Sequence, residues 1–166
     1  MSLAMGVLSQ TGLLRSLVSQ DPTLVNSPDV VKAHGAARVA SAGHEEVIGK
    51  LLISRGADIN ARDKANQLPL HRAATTGSTG FISLLLKPPE ESPKPRLNTA
   101  DRVGNTPLHL AMESAYAEAA CLLIEAGADR TRENLDGEMP EDLEGVGGQE
   151  QRRAKDYVIE RCGKRS

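Results

Sequence analysis

The sequence predicts an all-α solenoid of stacked helix-turn-helix units, and three observations carry that prediction. Asn105-Thr106-Pro107-Leu108-His109-Leu110-Ala111 is echoed by Gln67-Leu68-Pro69-Leu70-His71-Arg72-Ala73, and a further proline, Pro140, follows Pro107 by 33 residues. Self-similarity at a fixed period of this length marks a repeat architecture. Apolar helical stripes then close on a recurring tail, Ala126-Gly127-Ala128-Asp129 in one unit and Gly56-Ala57-Asp58 in another. Finally, with no Trp, one Phe and two Tyr in 166 residues, the core must be built of Leu, Ile, Val and Ala. Such side chains suit thin layers of paired helices, each burying its face against the next.

Within one unit each residue type has a physical task. Pro107 belongs in the first helical turn, where its missing N–H leaves no bond unmade. Thr106 is placed to cap that helix, and His109 to tie its imidazole to nearby backbone and hydroxyl groups. Leu108 and Ala111 face the neighbouring unit, and Gly127 supplies the positive φ that ends the second helix. A β-turn and two antiparallel helices in this pattern and period resemble the ankyrin repeat.

Taken in order, residues 1–10 give no clear element, and residues 11–163 form a single domain. In 11–28, Leu13, Leu14, Leu17 and Val18 share one helical face, and Pro22 stops the helix by biasing Asp21 away from the α region. This resembles the second helix of a unit whose first helix is missing or unrecognisable. The unit at 29–62 is irregular. Ala40 to His44 matches an inter-helix turn and Leu51 to Asn60 a second-helix end, but His34-Gly35-Ala36-Ala37 stands where Thr-Pro-Leu-His belongs. Gly43 to Gly56 spans 13 residues against 12 for Ala115 to Gly127, and one extra residue turns a helix by about 100°. Gly49 inside the helix costs about 1 kcal/mol relative to Ala. A junction between two repeats is therefore expected near 30–50.

The unit at 63–100 is regular, with a turn at Gly77 and a second helix carrying Phe81, Ile82, Leu84, Leu85 and Leu86. Lys87-Pro88-Pro89-Glu90-Glu91-Ser92-Pro93-Lys94-Pro95 follows, and its four prolines favour an extended, solvated loop. Pro69 to Pro107 is 38 residues, so this loop inserts five residues into the period. The unit at 101–133 is the clearest. That at 134–163 has Glu141 and Asp142 where Leu108 and His109 stand in its neighbour, glycines at 145, 147 and 148, and a polar last helix over 149–161. A terminal unit with a polar outer face is what a solenoid needs as a cap.

No catalytic chemistry is legible. His71 and His109 occupy the structural histidine position and His44 a Gly-His turn; no HExxH, GxSxG, Walker A or GxGxxG occurs. Gly145-Val146-Gly147-Gly148 lacks the lysine and preceding strand of a phosphate loop. Cys121 and Cys162 lie far apart in sequence without a CxxC, indicating neither a disulfide framework nor a zinc site; Cys121, in an apolar stripe, reads as a buried reduced thiol. No cofactor, metal or catalytic residue is expected. A net charge of −2, from 20 basic and 22 acidic residues, gives no bias toward nucleic acid or membrane. No apolar run reaches the roughly 18 residues of a membrane span, and no signal peptide is seen. A reducing intracellular compartment, cytoplasm and nucleus, is expected. The carboxylates at 138, 141, 142 and 144 read as a solvated face complementing a helix N-terminus. Arg152, Arg153, Lys155, Arg161, Lys164 and Arg165 are interleaved with Glu150, Asp156 and Glu160, which favours a solvated helix over a nucleic-acid patch.

What remains is surface. The turn tips and exposed sides of the first helices form the concave face by which such stacks bind partners. By register these positions are Arg62, Lys64, Gln67, Thr75 and Thr76, joined by Arg72, in the third unit. In the fourth they are Arg102, Val103, Asn105, Glu113 and Ser114, and in the fifth Arg132, Glu133, Leu135, Asp136 and Glu138. Basic members cluster centrally and acidic ones toward the C-terminus, so a partner with the opposite charge order would be oriented by them. A monomeric protein-binding scaffold is expected, with a signalling or transcriptional adaptor as the alternative.

Several non-consensus stretches narrow the resemblance. SQDPTLVN, RDKANQLPLHRAATTGS, LLLKPPEESPKPRLNTAD and GGQEQRRAKDYVIERCG together resemble the gankyrin family of proteasome regulatory-particle chaperones. That resemblance implies a concave face gripping the C-terminal domain of one base ATPase subunit, holding it as an assembly intermediate. The chain is shorter than that family in its N-terminal half.

Overall fold

A pair of short helices joined by a tight turn cannot bury its own apolar face, so each pair here leans on the next. The computed structural model describes residues 53, 58–88, 90 and 93–165. The expected irregular segment 1–10, the partial unit 11–28 and the junction near 30–50 lie outside the described residues. Within them are helices α1 (Pro69–Thr76), α2 (Thr79–Leu86), α3 (Pro107–Glu113), α4 (Ala117–Glu125) and α5 (Gly148–Cys162), with a 3₁₀ turn at Pro140–Asp142. There is no strand among the described residues.

The helix starts follow from the repeated motif. Pro69 and Pro107 occupy the first turns of α1 and α3. In α3 the Thr106 hydroxyl accepts from the His109 N–H at 3.4 Å. Leu68 has no hydroxyl to offer, and in α1 the imidazole alone ties the entry, accepting the Leu68 N–H at 3.0 Å. Each hairpin then turns through a left-handed residue, Gly77 at φ 68° and Ala115 at φ 59°. Ser78 N–H returns to Ala73 O at 3.0 Å and Tyr116 N–H to Ala111 O at 2.9 Å, the same bond one unit apart.

The helices form two layers. α1 packs on α3 and α3 on the 3₁₀ turn, while α2 packs on α4 and α4 on α5. Leu68, Ile82, Leu108, Met112 and Leu123 fill the space between the layers and are fully buried, each stabilising the fold by about 2 kcal/mol through area removed from water. The last helix buries Gln151, Ala154 and Val158, a stripe at helical spacing, and leaves Tyr157 and Ile159 exposed. Gln151 Nε2 reaches the Met112 carbonyl at 2.6 Å and so ties α5 to α3.

Fingers project from the layer of α1 and α3. Asp63 N–H to Gln67 O (3.0 Å), Asp101 N–H to Asn105 O (2.9 Å) and Asn134 N–H to Glu138 O (2.9 Å) close three of them identically. Neighbouring fingers are laced together by Arg102 N–H to Ala65 O at 3.1 Å and Leu135 N–H to Val103 O at 3.2 Å. That close approach requires Gly104, where an added Cβ would sit 2.6 Å from the Leu135 nitrogen.

The described end of the proline-rich insertion, residues 93–96, is irregular and mostly exposed, as its composition predicts, and two of its backbone groups are tied to Asn60. The Asn60 side chain donates to Lys94 O and accepts from Arg96 N–H, both at 3.0 Å. Among the carboxylates at 138, 141, 142 and 144, of which Asp142 and Glu144 are exposed as expected, one differs from the sequence expectation. Glu141 does not join a solvated face: it pairs with Arg130 at 2.7 Å, with side-chain exposures of 9% and 13%. An arginine one turn-loop upstream draws it inward, a long-range partner that local composition does not show.

Candidate protein-binding face

The face begins with the two buried histidines that set the finger spacing. His71 Nε2 lies 3.0 Å from Asn105 O, and His109 Nε2 lies 2.9 Å from Glu138 O. A carbonyl can only accept, so both rings carry the proton on Nε2 and leave Nδ1 to accept the N–H of Leu68 or Thr106. Burial holds both imidazoles below their ordinary value of 6.5, against the opposing pull of these carbonyls. Each histidine thereby fixes one finger against the next, with both ring nitrogens engaged in hydrogen bonds.

On that frame the structure distributes the expected binding residues unevenly. Lys64 and Arg102 are exposed at the same finger position in consecutive units, and neither side chain has an ion-pair or hydrogen-bond partner among the described residues. Arg62 is half-buried and donates to Asn66 Oδ1 at 3.4 Å. Arg72 is 46% exposed and lies 3.7 Å from the Asp63 carboxylate, a weak pair that leaves it available. Thr75 turns its hydroxyl back to His71 O at 3.0 Å, and Thr76 does the same to Arg72 O at 3.1 Å. Arg132 and Asp136 are exposed.

Two positions depart from the expectation. Asn105 is only 8% exposed; its carbonyl serves His71 and its side-chain oxygen accepts from Asn134 at 3.0 Å. It is a mortise between fingers. Gln67 is half-buried for the same reason, donating to Asp101 Oδ2 at 3.0 Å.

Glu113 is exposed at the end of α3, and with it the structure forms a feature that single-position reading missed. A cleft of about 610 Å³ is lined by Glu113, Glu138, Asp142, Glu144, Gly145 and Val146. Among the described residues only Asp142 of these carboxylates has a cation, Arg165 at 3.2 Å. Val146 N–H binds Glu113 O at 3.1 Å and so folds the glycine-rich connection back against α3. The density of acids between 138 and 144 was visible in sequence; their convergence with Glu113 depends on that return. Along the finger tips, Val103 (57% exposed) and Leu135 (77% exposed) add apolar surface between the basic and acidic regions. Among the described residues the face thus carries the unpaired cations Lys64 and Arg102, an apolar ledge, and the unpaired carboxylates Glu113, Glu138 and Glu144.

Among the described residues no cluster of His, Cys, Asp and Glu is arranged to hold a metal ion, and no helix is long and apolar enough to cross a membrane.

Comparisons with known proteins agree with this architecture. A family profile described as ankyrin repeats (3 copies) matches residues 33–134, more than half of the chain. A probable 26S proteasome regulatory subunit p28 from Saccharomyces cerevisiae is 38% identical over 97 residues, which are 58% of this chain and 41% of that protein. Protein phosphatase 1 regulatory subunit 27 from Mus musculus is 32% identical over 101 residues, 61% of this chain and 62% of that one. A transient receptor potential cation channel subfamily A member 1 homolog from Caenorhabditis elegans is 35% identical over 120 residues, 71% of this chain but 10% of the channel. The chain spans about two fifths of the length of the yeast relative and about three fifths of the mouse one. The repeated motif, its histidine ties and the profile lead to one assignment: the chain belongs to the ankyrin-repeat family.

Proposed function

We propose that the chain is a non-enzymatic protein-binding scaffold that acts as a chaperone in assembly of the 26S proteasome regulatory particle, its finger face holding the C-terminal domain of a base ATPase subunit. The observation that carries the scaffold reading is the separation of unpaired charge along one face, Lys64 and Arg102 at one end and the cleft of Glu113, Glu138 and Glu144 at the other. Charges held this way orient an incoming surface and speed its docking more than they tighten it. What directs the reading to the proteasome is the similarity to the yeast regulatory subunit. The fitting partner presents carboxylates opposite Lys64 and Arg102, and lysines or arginines opposite the cleft. The protein would work as a monomer in cytoplasm and nucleus.

The test is binding to the isolated C-terminal domain of each base ATPase at two salt concentrations. Lys64→Glu combined with Arg102→Glu should slow association, lose about 1–2 kcal/mol of affinity and flatten the salt dependence. The melting temperature should hold, because exposed substitutions of this kind stay within about 0.5 kcal/mol. Unchanged association, or equal binding to every ATPase domain, would overturn the oriented mechanism. A second reading, a signalling adaptor, is favoured by the similarity to a phosphatase regulatory subunit; binding to protein phosphatase 1 and to no ATPase domain would select it.

A further inference from the structure

The chain's two cysteines, distant in sequence, meet where the last helix packs on the fourth unit. Cys121 lies on α4 and is fully buried, while Cys162 is the last residue of α5 and half-buried. Both are free; Cys162 packs against the buried cluster that contains Cys121, and the neighbouring Arg161 pairs with Glu118 and Glu125, which flank Cys121 on α4. The meeting is held by Arg130, whose guanidinium is fixed by Glu141 and donates to Cys162 O at 3.3 Å and Gly163 O at 2.7 Å. This clamp fixes the end of α5, where Cys162 packs against the core cluster to which α4 contributes Cys121.

We propose that Cys121 and Cys162 form an oxidisable dithiol, a modification site that takes a small disulfide such as oxidised glutathione and closes into an intramolecular disulfide latching α5 to α4. Accessibility orders the steps. Cys162, the more exposed sulfur, attacks the reagent as thiolate, forming a mixed disulfide and releasing one glutathione thiolate. The Cys121 sulfur, after giving its proton to solvent, attacks Cys162 sulfur and expels the second glutathione thiolate. Two protein thiols lose two electrons and two protons, and one reagent disulfide becomes two thiols. Burial pushes the Cys121 thiol up to about 12, which unsuits it as the entry nucleophile and leaves it the resolving role, where proximity compensates for a small thiolate fraction. In a reducing compartment such a disulfide is transient and responsive rather than structural.

The experiment treats the full chain with oxidised glutathione, quenches with an alkylating agent and reads intact mass. The expected product is a monomer lighter by about 2 Da with no alkylatable thiol, a peptide joining Cys121 to Cys162, and a raised melting temperature that dithiothreitol reverses. Cys121→Ala should stop at a glutathione adduct on Cys162. Cys162→Ser, at the half-buried position, should fold and leave Cys121 unmodified. A wild-type chain that accumulates the glutathione adduct, forms disulfide-linked dimers, or keeps both thiols alkylatable would overturn the proposal; so would a Cys162→Ser chain whose Cys121 reacts as fast as the wild type.

Discussion

Pro107 and Pro140 hold the same place in units one period apart, yet the first opens a seven-residue helix and the second a three-residue 3₁₀ turn. The difference lies in their neighbours. Thr106, Leu108 and His109 give the fourth unit a cap, an apolar knob and an imidazole that reaches the next finger. Met139, Glu141 and Asp142 give the fifth none of these. Asp142 N–H still closes on Met139 O at 3.0 Å, but Leu143 follows in extended conformation and the helix ends. The fourth unit is therefore secured by burial on both sides. Among the described residues the fifth packs on the fourth alone, burying Leu143, Ala154 and Val158, and adds ion pairs from Arg130 to Glu141, Arg161 to Glu118 and Glu125, and Arg165 to Asp142. Exposed pairs of this kind contribute little, so within the cap the buried Arg130–Glu141 pair outweighs the rest. A repeat motif states how a unit joins two neighbours; a cap must be secured by residues the motif does not contain.

The largest effect that could break this contrast is Leu108→Ala. Leu108 is fully buried between layers, and the truncation should cost about 4 kcal/mol, the transfer term plus the cavity left behind. Urea denaturation would read it as a fall in midpoint at constant slope. A loss under about 1.5 kcal/mol, within the range of a volume-conserving swap, would show that the layers relax around the gap and that the fourth unit is not the rigid one.

Glu141→Ala comes next. It leaves the Arg130 guanidinium, 13% exposed, without its carboxylate, which for a buried pair costs about 3 kcal/mol. The damage should be local: hydrogen exchange should quicken across 148–162, where Arg130 holds the helix end, and stay slow in α1 and α2. Equal acceleration everywhere would mean that the cap and the body open as one unit and that the two modes of attachment are not separable.

A third effect is set by pH and falls on the histidine-tied units alone. Burial holds His71 and His109 below 6.5, so the unfolded chain binds protons that the folded chain refuses. Their contribution to stability is complete above pH 6.5 and is lost as pH falls from there toward the folded values. The melting temperature should drop between pH 7 and pH 5, before carboxylate protonation enters, with the imidazole resonances titrating below 6.5. A flat profile over that window would detach the finger spacing from the imidazole ties.

Much of this contrast was legible in sequence because it rests on local chemistry. The proline, the threonine cap and the histidine act within four residues of one another, and the 33-residue period repeats them, so the helices of the third and fourth units could be placed from pattern alone. The weakness of the fifth unit's first helix was legible as well, since Glu141 and Asp142 stand where burial demands Leu and His. What could not be read depends on partners distant in the chain. Glu141 turns inward for Arg130, Asn105 disappears between fingers because His71 and Asn134 both claim it, and Asn60 pins the proline-rich insertion at Lys94 and Arg96. On the candidate face the finger-tip charges followed from register. The cleft did not, because its walls come from α3 and from a glycine-rich connection whose path no periodicity specifies.

The smallest effect sharpens the comparison at the finger bases. Asp101 Oδ1 accepts the N–H groups of Val103 and Asn105 at 3.0 and 2.9 Å, and Asn134 Oδ1 does the same for Asp136 and Glu138 at 2.9 and 3.0 Å. Their second atoms have opposite polarity. Asp101 Oδ2 accepts from the Gln67 amide, whereas Asn134 Nδ2 donates to Asn105 Oδ1, both at 3.0 Å. The two fingers therefore solve one problem with mirrored donor and acceptor. Since a terminal amide can present either atom, Asp101→Asn needs only that half-exposed Gln67 turn over, and the backbone bonds survive. The expected loss is about 0.5–1 kcal/mol, the margin between a hydrogen bond to a charged group and one between neutral groups. Asn134→Asp sets an acceptor against Asn105 Oδ1, so the Asn105 amide must turn its Nδ2 to the new carboxylate. The variant should then lie within about 0.5 kcal/mol of wild type, because the stronger bond is offset by a new charge beside Asp136 and Glu138. If Asp101→Asn costs more than about 2 kcal/mol, exceeding any neutral hydrogen bond, the carboxylate has a task beyond the finger base. Its field at the two histidine rings would then be what distinguishes the fourth finger from the fifth.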